Sequence, residues 1–143
     1  MSLSGIKMEE DVVKYYEDFR FKKEPGGLIL KIEDEAIHIE KEINGDFDQL
    51  AAVLPDAEPR FVLYDVPMQN RAKIDALKTI FLFWLPMESP VRKRMVYASS
   101  KSIIVKEFRG ISAQLQEDEK DALTTDKIIT KVNRQQGINN SAL

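Results

Sequence analysis

The chain has 143 residues, no cysteine, and 21 Lys and Arg against 24 Asp and Glu, for a formal net charge of −3. The missing cysteines exclude disulfides, thiolate zinc sites and cysteine nucleophiles, and the negative total argues against nucleic acid as a partner, since phosphate attraction needs a basic field. The longest strongly apolar run, Ile80 to Leu85, falls far short of the roughly 20 residues a membrane helix needs. The length suits one domain over residues 1–143, with flexible ends at about 1–7 and 136–143. A monomeric cytoplasmic protein is expected.

After the N-terminal arm, Val12, Tyr16 and Phe19 recur at helical spacing with Val13 alongside, so Met8 to Phe21 reads as a core-facing helix. Glu9, Glu10 and Asp11 suit its positive end. Pro25-Gly26-Gly27 reads as a break before a strand, Leu28 to Ile32. A second strand, Ala36 to Ile43, alternates Ile37, Ile39 and Lys41 against His38, Glu40 and Glu42. Asn44-Gly45 signals a turn, Asp46 caps a short helix from Phe47 to Leu54, and Pro55 ends it.

Arg60 to Val66 and Thr79 to Leu85 are continuous apolar runs, which predicts strands covered on both faces. Between them, Pro67 to Leu77 reads as a connection carrying Arg71 and Lys73, with Lys78 at the rim of the second strand. Ser89 and Pro90 then mark the start of a helix of about five turns that Gly110 terminates. Val91, Met95 and Ala98 form one stripe on it, whereas Ile104 and Phe108 fall on another face. That slip of phase marks either a bend at Ser99-Ser100 or burial on several sides. Arg92, Lys93 and Arg94 ride on the first turns, where the helix dipole disfavours cations.

Ile111 to Gln116 is a short edge strand, Glu117 to Leu123 an acidic connection, and Thr124 or Thr125 the cap of a last helix. Ile128, Ile129 and Val132 face inward on that helix, and Lys127, Lys131 and Arg134 face out. The order of elements predicts an α/β (α+β) fold, a mixed central sheet with helices on both faces.

The carboxylate runs at residues 9–11, 33–35 and 117–119 sit at predicted caps and connections, and His38 stands alone on the polar phase of its strand. Neither pattern makes a catalytic or metal site. No cofactor is expected, and an enzyme is not the favoured reading.

Trp84, Pro86, Pro90-Val91-Arg92 and Arg94-Met95-Val96-Tyr97-Ala98-Ser99-Ser100-Lys101 closely resemble the long actin-binding helix of the actin-depolymerising factor (ADF)/cofilin family. With Ser4-Gly5, Tyr64-Asp65 and the C-terminal helix, the resemblance covers nearly the whole chain. It implies the ADF homology fold and binding to actin monomers through Ser4, Gly5, Ile6, Arg92, Arg94 and Met95, with Arg94 where lysine is usual. It also implies filament binding and severing through Lys78, Lys131 and Arg134, and regulation by phosphorylation of Ser4. Two filament positions depart from the family, Ala76 for a basic residue and Thr130 for an acid.

Before residue 64 the sequence is more similar to the glia maturation factors, in Phe19 to Glu24, Leu54-Pro55-Asp56 and Pro59 to Leu63. Those relatives share the fold but bind the actin-related complex that nucleates filament branches. The cofilin reading is favoured because its resemblance falls on the actin-contacting helix. Independently, the local charge of Arg92 to Arg94 suggests phosphoinositide headgroups as a competing ligand. Lys22-Lys23 is too little to decide nuclear entry, which stays open.

Overall fold

The computed structural model describes residues 5–20, 23–69 and 75–135. In chain order the elements are β1 (Lys7–Met8), α1 (Glu10–Arg20), β2 (Gly26–Glu33), β3 (Ala36–Asn44), α2 (Phe47–Ala52), β4 (Arg60–Gln69), β5 (Asp75–Trp84), α3 (Val91–Glu107), β6 (Ile111–Glu117) and α4 (Thr125–Gln135), with a 3-10 turn at Lys120–Ala122. They build a six-stranded sheet in the order β1-β3-β2-β4-β5-β6. The two edge pairings, β1 with β3 and β5 with β6, are parallel and the rest antiparallel.

Alternation along the central strands divides the core into two layers, as expected for a sheet covered on both faces. Phe61, Leu63, Phe81 and Phe83 point to the layer holding Tyr16 and Phe19 of α1 and Tyr97 and Ile104 of α3. Val62, Tyr64, Ile80, Leu82 and Trp84 point to the other, with Phe47 and Leu50 of α2 and Ile128 and Val132 of α4. The mixed sheet between helices is therefore the fold the sequence predicts.

Several boundaries differ. The expected break at Gly26-Gly27 is the start of β2. A Cβ on Gly27 would lie 2.4 Å from the Leu63 carbonyl oxygen, so close approach of strands, not a turn, requires glycine there. The helix after Asp46 ends at Ala52 rather than Leu54, although the Asp46 carboxylate does accept from the Gln49 N–H at 2.9 Å. The hairpin strands β4 and β5 run longer than expected, which places Lys78 inside β5, paired with Val66. Arg71 and Lys73 lie outside the described residues.

In β3 the alternation breaks at Glu40. Ile29 pairs with Lys41 but Leu30 with Ile39, so Glu40 is an extra residue in the ladder. Each residue beyond it changes face. Lys41 is consequently exposed, not inward with Ile37 and Ile39, and Ile43 joins the layer under α2. Glu40 receives the buried Arg60 guanidinium at 3.0 and 3.1 Å. A second bulge at Ser112 of β6 turns Ala113 and Leu115 under α4.

The arm is not free from residue 6 onward. Ile6 is 9% exposed and packs in the α1/α3 layer, and the Lys7 N–H donates to Glu35 O at 3.0 Å as β1 joins the sheet edge.

Two core tyrosines make stability depend on alkaline pH. Burial, then the nearby Asp46, Asp48 and Asp65, pushes the Tyr64 phenol from 10.0 up to about 12, and its hydroxyl donates to Gly45 O at 2.6 Å. Tyr16 is raised further, by burial and then by Asp65, to which it donates at 3.0 Å. A raised phenol pKa contributes stability that is complete below the unfolded value and is lost as pH climbs toward the folded value. Melting temperature should thus fall between pH 10.0 and about 12, and the fall should be shallower in Tyr64→Phe than in the parent. Equal alkaline slopes in the two proteins would contradict this.

Candidate functional site

The front of α3 begins with a turn held by one carbonyl. Pro86 O accepts from the Ser89 N–H at 3.0 Å, the Ser89 hydroxyl at 2.6 Å and Arg94 Nη1 at 2.6 Å. Ser89 was expected to cap the helix, but its hydroxyl is committed to this turn. Pro90 takes the N-cap position, with no side-chain cap, and α3 starts at Val91.

The core face of α3 is Tyr97, Ser100 and Ile104, one stripe at helical spacing that Phe108 continues at the C-cap. The Tyr97 hydroxyl accepts from the Ile32 N–H at 2.9 Å, and its ring lies 5.2 Å from that of Phe61. Ser99 and Ser100 both bond back to Val96 O, at 3.1 and 2.7 Å, yet the helix runs unbroken over 17 residues. The apparent slip of phase has a simpler cause than a bend. Val91, Met95 and Ala98 are the solvent stripe, not the first half of the core stripe.

Val91 is 73% and Met95 67% exposed. Between them the three cations differ. Lys93 is paired with Glu58, whose carboxyl it holds below the ordinary value chiefly through their hydrogen bond. Arg94 is half-buried against Pro86 O. Arg92 is exposed and makes no hydrogen bond or ion pair among the described residues. The dipole cost of a cation in the first turn is thus offset by a partner for Lys93 but not for Arg92.

Of the other expected site residues, Ser4 lies outside the described residues and Gly5 is exposed with φ +73°. The Ile6 side chain, expected among the monomer-binding residues, is turned into the core. An open cleft of about 780 Å³ separates residues 6–10 and Val13 from Ser102, Ile103, Lys106 and Glu107, so the arm flanks the rear of α3. Seven residues separate Ser102 from Met95, roughly 10 Å along a helix axis.

Lys78, Lys131 and Arg134 are not brought to one point. Lys131 is ion-paired with Glu117, which pairs in register with Trp84. Trp84 lies six residues along β5 from Lys78, about 20 Å at strand rise. Arg134 is exposed one turn nearer the Lys78 end, and Gln135 beside it bonds the backbone of Gln114. Ala76 is exposed, and the Thr130 hydroxyl donates to Asp126 O at 2.9 Å. Sequence reasoning missed Glu58 as the counter-ion of Lys93 and Glu117 as that of Lys131. Neither pairing is local, and the sequence carries no signal for either.

A layered sheet that locks one face of a long helix and leaves an apolar, cationic front in solvent is the frame of a binding module. The model of the family described as cofilin/tropomyosin-type actin-binding protein matches residues 5–133, and the chain belongs to this ADF/cofilin family. It is 28% identical to the cofilin of Schizosaccharomyces pombe over 137 residues, covering 94% of this chain and 99% of that protein. It is also 28% identical to actophorin of Entamoeba histolytica, covering 91% and 96%. Among solved structures, the cofilin of Streptomyces griseoflavus superposes with a TM-score of 0.82 at 26% identity, over 91% of this chain and 98% of that one. The glia maturation factor of Caenorhabditis elegans reaches 0.78 at 23% identity, over 92% and 98%. At that identity the likeness concerns the fold alone.

Proposed function

We propose that the chain is a single cytoplasmic ADF homology domain that binds actin monomers and filaments through the front of α3 and promotes filament disassembly, including severing. The observation that carries this reading is the pairing of exposed Val91 and Met95 with an Arg92 that has no partner among the described residues, on a helix whose opposite face is fixed in the core. An apolar knob with a cation at its rim suits an apolar cleft edged by acid. Family membership supplies actin as the protein bearing that cleft.

The second reading, binding of the actin-related branching complex, rests on the segments like glia maturation factor. Most of the side chains of 59–63 are buried in β4 and its entry, where they shape scaffold, and this favours the first reading. Co-sedimentation with pure actin filaments, run beside pull-down of the branching complex, separates the two. Capture of the complex without co-sedimentation would replace the proposal.

Ser4 is the proposed site of control. A phosphate adds about −1.5 to −2 charges, which an acidic partner surface repels. Ser4→Glu should weaken actin binding without moving the melting temperature, and equal affinity of the two forms would dismiss the switch. Phosphoinositide headgroups are proposed as competitors for Arg92, with vesicle displacement of bound actin at low salt as the check.

Filament binding is proposed to survive but to be weaker, relative to monomer binding, than in a typical cofilin. Ala76 and Thr130 lack the family's charges, and Lys131 is engaged by Glu117 far from Lys78. Severing needs the filament held in an altered twist, and a ligand shifts that equilibrium only by its differential affinity. Ala76→Arg should therefore raise filament co-sedimentation and severing frequency, with monomer affinity unchanged. Severing by the parent equal to that of a cofilin carrying both charges would contradict the account.

A further inference from the structure

We infer that the docking ridge extends beyond α3 to Met87, and that Arg94, through its bond to Pro86 O, serves it as a positioning residue. The inference rests on the proposed actin-binding reading and assigns roles within that same surface.

Met87, Val91 and Met95 are the three most exposed large apolar side chains among the described residues, at 69, 73 and 67%, and they recur every four positions. Val91 and Met95 share a helix face by that spacing. Met87 continues the series at a corner of the Pro86-to-Ser89 turn. Turn corners ordinarily take Gly, Pro, Asn, Asp or Ser, each for a backbone reason. Methionine supplies none of these and leaves a long apolar side chain in water, which is the mark of a contact surface when it adjoins other exposed apolar groups.

The turn is also built to hold still. Ser89 is buried, Leu85 N–H donates to Glu117 O at 2.9 Å, and Pro86 O carries the bonds from Ser89 and Arg94. An anchor presented on a rigid turn loses little freedom on docking, so more of its burial appears as affinity. Arg94 commits a guanidinium donor to this turn, and Lys93 is neutralised by Glu58. Of the three cations, Lys93 has a counter-ion, Arg94 keeps its charge but is oriented by Pro86 O, and Arg92 has no partner among the described residues. The matching occupant is an actin cleft that accepts an apolar ridge about three side chains long and offers an acid at one edge.

The experiment measures affinity for fluorescently labelled monomeric actin across a salt series, with the parent, Met87→Ser, Arg94→Ala, Arg94→Gln and Arg92→Ala. Met87→Ser should lose roughly tenfold in affinity with an unchanged salt slope and melting temperature. Arg94→Gln keeps a donor for Pro86 O without the charge and should stay within about twofold of the parent, whereas Arg94→Ala should lose about fivefold or more. Arg92→Ala should flatten the salt dependence. Parent affinity in Met87→Ser, or equal losses in Arg94→Gln and Arg94→Ala with a flattened salt slope, would overturn the inference while leaving the actin-binding reading in place. Failure of the parent itself to bind would overturn both.

Discussion

Gly27→Ala is expected to destabilise the protein by about 3 kcal/mol or more, the upper end of the overpacking range, and so to remove a large part of a typical stability of about 5–15 kcal/mol. A Cβ at this position would stand 2.4 Å from Leu63 O, 2.9 Å from the Tyr64 ring and 3.0 Å from the Tyr64 Cα. Two of those three neighbours are backbone atoms of β4, which is paired with β2 on one side and β5 on the other. Neither strand can retreat without breaking ladder hydrogen bonds, so the strain has no flexible side chain to absorb it. Gly5→Ala is the milder comparison, since nothing lies within 4 Å of a Cβ there and only the φ of +73° penalises a side chain, by about 1 kcal/mol. Urea denaturation of the two variants should show a large drop in midpoint for Gly27→Ala and a small change for Gly5→Ala. An unchanged midpoint in the former would mean that β2 and β4 are less closely apposed than described.

The layered fold was legible because β4 and β5 are continuous apolar runs and the caps at Asp46 and Thr124 are local signals that a few residues carry by themselves. Thr124 does accept from the Lys127 N–H, at 3.3 Å, at the start of α4. What stayed hidden depends on neighbours distant in the chain. The glycines of β2 read as breakers until Leu63 and Ile43 are placed against them. The bulges at Glu40 and Ser112 exist only in the pairing with β2 and β5. Ile6 looked like part of a loose arm because a two-residue strand is too short to show a period.

The candidate site was readable as a stripe, Val91 to Ala98, but its meaning was ambiguous. Alone, a helical apolar stripe more often marks core than contact, and the resemblance reversed that expectation for Met95. The structure puts the stripe in solvent and gives α3 a separate core face anchored by Tyr97 and Ile104. The division of the cations could not be read at all, because the Glu58 that neutralises Lys93 is 35 positions away.

The largest functional effect should come from removing Arg92 and Met95 of the proposed monomer surface together. Arg92→Ala with Met95→Ala deletes the cation at the front of α3 that has no partner among the described residues, together with a central apolar anchor. Truncating such an anchor commonly costs about 2 kcal/mol, about thirtyfold in affinity, and the neighbouring charge adds to that without strict additivity. Both side chains are exposed, so the variant should melt with the parent. Titration of labelled actin monomer with parent and double variant, each checked for an unchanged melting temperature, is the most direct test of α3 as the docking element. The account predicts saturable binding by the parent and a loss of at least thirtyfold in the folded variant; full affinity in that variant would take the front of α3 out of the interface.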